Sequence, residues 1–250
     1  MLNESPETLA RLAFIRFCTT IASTALLALE TALLFKEEYR FVWRARISVA
    51  KCIYIFSRYF ILLFQIANAV IVSTYLRVIP VSRPFCAVWF CTQLSTAALS
   101  MVMLEAVLML RVYALHGKSR KIGITLSCSL FIEICVTTCM ISLVFKDLTL
   151  DDACVTTNTP RQVIGLGTVT VVQQLLIWGL MFQKRSFLQT LNNAGQRLTL
   201  VIMRDGTWVL IGVCACCALL IPYSMYIGQI THVIFSMLIP LFSILLSWYL

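Results

Sequence analysis

The sequence predicts an all-α integral membrane protein: seven transmembrane helices in one bundle, N-terminus outside, C-terminus cytoplasmic. Three observations predict it. Hydrophobic residues make up 60% of the 250 and charged residues 12%, with mean hydropathy +0.90, where a soluble domain carries roughly 25% charged residues. Seven long apolar stretches follow one another, each near the roughly 20 residues that a helix needs to cross hydrocarbon. The Lys and Arg between them fall almost wholly on alternate sides. Unpaired backbone groups are not tolerated in lipid, so only helices or a closed barrel cross it. The runs are continuous rather than alternating, which rejects the barrel. A single domain is expected over residues 1–250, with no linker and no internal repeat.

The first apolar run covers about 12–35, after a short N-terminal tail. It exceeds the roughly 7–15 apolar residues of a cleavable signal and has no clear small-x-small site before the basic loop, so it reads as a span. The second, about 47–75, is longer than one crossing needs, so its ends should project or the helix should tilt. The third and fourth cover about 87–110 and 122–145, and the fifth about 163–182. The segment 146–162 carries Asp147, Asp151 and Asp152, and the segment 183–205 holds Asn192-Asn193 and Gly195, which mark a turn. The sixth and seventh, about 207–227 and 231–250, read as a tight hairpin separated by little more than Pro222, Gly228 and a few polar residues.

Orientation follows from the cations. The first connection has Lys36, Arg40, Arg44, Arg46 and Lys51; the third has Arg111, Lys118, Arg120 and Lys121; the fifth has Lys184, Arg185, Arg197 and Arg204. The even connections hold only Arg77, Arg83, Lys146 and Arg161, so the tally is thirteen against four. Odd connections are therefore expected in the cytoplasm. The net charge of +9 follows from this anchoring. The cations are dispersed along membrane edges, so the expected partner is the lipid bilayer and not nucleic acid.

Several local patterns recur in order: Glu38 and Trp43 after the first span, Lys51 opening the second, then Phe56-Ser57-Arg58-Tyr59. Cys86 heads the third span, Leu110-Arg111-Val112-Tyr113-Ala114-Leu115 closes it, and Arg204-Asp205-Gly206 opens the sixth. The set resembles a fungal, chiefly basidiomycete, family of multi-pass membrane proteins described only as a domain of unknown function. That family more often has Asn before its Arg-Tyr, and its members tend to continue past the seventh span with a Ser-Arg-Phe-like stretch. This chain reads Ser247-Trp248-Tyr249-Leu250, which leaves a last helix ending at the surface or cut short as the two expectations. The resemblance implies a seven-helix membrane protein and no activity.

Of eleven cysteines, Cys86 and Cys154 alone fall in segments read as outside, where an oxidising compartment lets such a pair close. A disulfide is expected there; two free thiols is the alternative. Cys214-Ala215-Cys216-Cys217 imitates a metal cluster, but a helix turns about 100° per residue, so its thiols do not converge. His116 and His232 lie on opposite sides of the membrane. No metal, cofactor or catalytic site is expected, and the chain does not read as an enzyme.

Glu30, Arg58, Glu105 and Glu133 are the charges read inside spans, and such residues are functional candidates by default. Glu30, Arg58 and Glu105 fall about 7–11 Å inside the inner boundary at about 1.5 Å per residue, a shared depth that permits an ion-paired cluster. The bland alternative is Arg58 snorkelling to the surface. Glu133 is closer to mid-span and reads as a helix–helix hydrogen-bonder. Arg111 and Tyr113, with Arg204 and Asp205, are candidates for facing a cytoplasmic signalling partner; a plain basic anchor is the alternative. Asn3-Glu4-Ser5 is a glycosylation sequon on the outer tail. Taken together the pattern favours a receptor-like seven-helix sensor of undefined ligand. The alternatives are a transporter or proton-coupled carrier, and a non-catalytic structural membrane protein.

Overall fold

The computed structural model describes residues 6–44, 49–74, 81–147, 154 and 162–188, with the separate positions 204, 207, 208, 211, 212, 214, 215 and 240. Within them the chain forms five long helices: α1 Pro6–Glu38, α2 Val49–Thr74, α3 Arg83–Leu115, α4 Arg120–Asp147 and α5 Gln162–Leu188. Each holds an apolar stretch long and hydrophobic enough to cross a membrane. The expected sixth and seventh spans, Asp205 and Asn3 lie outside the described residues, apart from those separate positions.

Four of these helices outrun the apolar stretches read from sequence, while α2, at Val49–Thr74, lies within its expected 47–75. α3, expected over about 87–110, runs from Arg83 to Leu115. A helix does not stop where hydrocarbon stops, because its backbone ladder pairs equally well at the membrane edge. It begins where Pro84 sits in the first turn behind Ser82, a place where a missing N–H leaves no bond unmade. It ends in a tight cap. Gly117 N–H donates to Ala114 O at 3.1 Å and Lys118 N–H to Tyr113 O at 3.1 Å, a pairing that satisfies the last carbonyls. Gly117 and Lys118 both take positive φ, 63° and 58°, which turns the chain straight into α4. α1 instead runs into a wide π-helical turn at Tyr39–Trp43.

Consecutive helices are antiparallel. Thr24 meets Gln65 and Glu30 meets Arg58 between α1 and α2; Asn68 meets Gln93 between α2 and α3; Gln173 meets Ser129 between α5 and α4. One end of the bundle therefore gathers the Tyr39–Trp43 turn and the α3–α4 cap, the basic end. The other gathers Cys86 and Cys154, the disulfide end. α3 is central and packs on α2, α4 and α5.

On α1 and α2 the faces are inverted relative to a soluble bundle. On α1 the buried positions are Arg16, Thr20, Ser23, Leu27, Thr31 and Glu38, at helical spacing, while Phe14, Leu26, Leu29 and Leu33 are exposed. On α2 Arg58, Gln65 and Asn68 point inward and Leu63, Ile66 and Val70 outward. Polar and small groups join helices where lipid offers no hydrophobic drive between them. Large apolar side chains on the outside are what a hydrocarbon solvent requires, and water would penalise them.

Candidate functional site

Polar side chains are buried between the helices at three levels. The first lies at the basic end. Arg58, 2% exposed, points from α2 toward α1. Its Nε lies 2.7 Å from Glu38 Oε1, and its Nη2 lies 3.4 Å from Glu30 Oε2. Arg58 Nη1 donates to the Tyr54 hydroxyl at 2.9 Å. Tyr54 O–H donates to Glu38 Oε1, and Tyr59 O–H donates to Glu38 Oε2 at 3.0 Å. The guanidinium also stands 5.8 Å from the centre of the Tyr54 ring, within reach of the ring's negative face. Tyr54 and Arg58 are four apart, so one helix face presents both. The π-helical turn stacks Trp43 edge-on to Tyr59, and Lys51 Nζ donates to Trp43 O at 3.2 Å. The arrangement holds the buried Arg58 cation with two carboxylates, one at Nε and one at Nη2.

The second level joins α3, α4 and α5. Glu105 is fully buried, and its Oε1 accepts from Gln174 Nε2 at 3.1 Å. Its carboxyl interacts with that of Glu133, which α4 buries beside it. Gln173 Nε2 donates to Ser129 Oγ at 3.1 Å beside them. An apolar core of Leu108, Val112, Leu126, Ile177 and Met181 separates this pair from the basic end.

The third level lies toward the disulfide end. Asn68 Oδ1 accepts from Trp89 Nε1 at 3.0 Å and from Gln93 Nε2 at 2.9 Å. Arg16 stands 5.5 Å over the Trp89 ring. A dry layer of Leu27, Ile61 and Ala97 divides this level from Arg58. Above it Cys86 and Cys154 form a disulfide, with Cα atoms 5.1 Å apart, packed on Val72 and Trp89.

The expected cluster of Glu30, Arg58 and Glu105 needs one correction. Arg58 meets Glu30 and Glu38, whereas Glu105 faces Gln174 and Glu133 on the far side of α3. Equal depth fixes position along the bundle axis and leaves direction around it open. From sequence Glu38 falls in the first connection, because the apolar run ends before it, yet it closes α1. The missed signal is its place on the buried stripe of α1. Arg16 was missed because one cation barely changes the hydropathy of so long a run. Arg111 and Tyr113 are half-buried, and a Cβ on Gly123 would meet Tyr113 Cε2 at 3.0 Å, so that ring lies on α4. Arg204 is exposed, and Cys214 is half-buried. Among the described residues no group of His, Cys, Asp or Glu could hold a metal ion.

No curated protein and no solved structure matches the chain. The model of a family of unknown function, DUF6533, matches residues 18–63. That segment covers the later part of α1, the turn after it and the first part of α2, and it contains Glu30, Glu38, Trp43, Lys51, Tyr54, Arg58 and Tyr59, the whole of the first level.

Proposed function

We propose that the chain is a seven-helix membrane protein, N-terminus outside and C-terminus cytoplasmic, that works as a receptor-like sensor without enzymatic activity. The Arg58–Glu38–Glu30 cluster is its switch at the cytoplasmic end. The observation that carries the reading is the pairing of that buried charge network with the dry layer of Leu27, Ile61 and Ala97. A ligand entering from the disulfide end would meet the Asn68–Trp89–Gln93 level and stop there. Its effect would pass to the cytoplasm as a change in how α1 sits on α2, and an ion pair with two partners is an element that can take two arrangements. The basic connections, including Arg111 and Arg204, would face the signalling partner.

A carrier is the second reading, favoured by the buried neighbouring carboxyls of Glu105 and Glu133. Proton pathways in membranes use such carboxyls. Against it, the apolar core around Leu108, Leu126 and Ile177 closes the way from that pair to the basic end.

Two measurements test the proposal. A reporter fused after Leu250 should read cytoplasmic, and one inserted at residues 155–158 should read outside; the reverse would overturn the orientation. In cells, Arg58→Gln should change basal second-messenger or G-protein output relative to wild type at equal surface expression. Unchanged output, together with pH-gradient-driven proton flux in liposomes that Glu105→Gln abolishes, would replace the sensor by the carrier.

A further inference from the structure

The geometry points to a binding site for an anionic phospholipid in the groove between α3 and α4 at the basic end. The inference is independent of the sensor reading and needs only that these helices are embedded in a bilayer. The groove has a volume of about 570 Å³, within the range of roughly 300–1,000 Å³ typical of ligand pockets. Ala106, Leu110 and Tyr113 line it from α3, and Arg120, Ile124 and Cys128 from α4. On each helix these positions recur every three or four residues, so they form facing stripes. At 1.5 Å per residue the stripe from Arg120 to Cys128 is about 12 Å long, running from the membrane edge into hydrocarbon.

Its two ends differ in chemistry. The deep end is apolar and open sideways, with Ile124 63% exposed and Leu110 37% exposed. The shallow end carries Arg120, with Lys118 and Lys121 beside it, all exposed. Two of those cations open α4, where the helix dipole favours negative charge. A phosphate there would meet both the cations and the first N–H groups of α4, while its acyl chain follows the apolar stripe. Basic pockets between transmembrane helices at the cytoplasmic side hold anionic headgroups in this way. The glycine at position 123 keeps the groove's floor low. A Cβ there would press at 3.0 Å on the ring of Tyr113, which also lines the groove.

The test is native mass spectrometry of the full chain in detergent with phosphatidylserine or phosphatidylcholine of the same acyl chains. Wild type should retain phosphatidylserine preferentially. Arg120→Gln with Lys121→Gln should lower that retention about fivefold for each cation removed. Cys128→Trp should block it. Ile124→Trp, at an exposed site tolerant of bulk, is the second blocking variant if the first does not fold. Leu63→Trp, on the lipid face of α2 and 68% exposed, should leave it unchanged. Equal retention of the two lipids, displacement by inorganic phosphate alone, or phosphatidylserine retention that survives both blocking variants would each overturn the site.

Discussion

Arg58 Nε lies 2.7 Å from Glu38 Oε1, with both side chains almost wholly buried. This contact closes the α1–α2 hairpin at its basic end. Tyr54 and Tyr59 supply O–H donors to the same carboxylate, so Glu38 is held from three directions. Removing one partner of a buried pair strands the other charge and is far worse than replacing both. In this arrangement the pair therefore fixes how α1 sits on α2.

Asn68 is the acceptor that two donors share. Asn68→Leu should leave the Trp89 N–H and the Gln93 amide without it and lower stability by about 1–3 kcal/mol, read as a shift in the detergent-denaturation midpoint. Gln93→Leu, which spares the Trp89 bond, should cost less. An equal or larger loss from Gln93→Leu would show that Asn68 does not anchor the level.

Glu105→Gln keeps a donor and an acceptor beside Glu133 and Gln174, so its stability should stay close to wild type. Glu105→Leu leaves both neighbours without a partner and should cost about 1–3 kcal/mol. The same unfolding measurement separates the two variants. If Leu is tolerated as well as Gln, the carboxyl contacts are not structural.

Cys86 and Cys154 should resist alkylation in the native membrane until reductant is added. Their bond joins positions 68 apart in sequence, and its loss should destabilise by up to about 4 kcal/mol in the chain-entropy picture. Labelling of both thiols without reductant would rule the bond out of the native protein.

The first five spans and the cysteine pair were legible because each depends on one coordinate. Hydropathy reports depth, and the side of the membrane decides which thiols meet. Helix ends were less legible, since α3 continues past its apolar run to Leu115, with Val112 buried in the core and Tyr113 packed against it. The partners of Arg58 were half legible. Depth brought Glu30, Glu105 and Arg58 to one level, but azimuth turns Glu105 toward Gln174. Glu38 lies beyond the hydrophobic signal altogether, and its burial becomes visible only when the stripe Arg16, Thr20, Ser23, Leu27, Thr31 is extended at helical spacing.

The most direct test of the account is a set of double-mutant cycles on unfolding in detergent: Arg58→Leu combined with Glu38→Leu, with Glu30→Leu and with Glu105→Leu. Arg58→Leu alone should cost about 3–5 kcal/mol. The Glu38 cycle should show coupling of about 1–3 kcal/mol, the Glu30 cycle less at its longer 3.4 Å contact, and the Glu105 cycle none. Additivity in both the Glu38 and the Glu30 cycles would contradict the charge cluster as the closure of α1 on α2, and coupling confined to Glu105 would place Arg58 against the wrong helix.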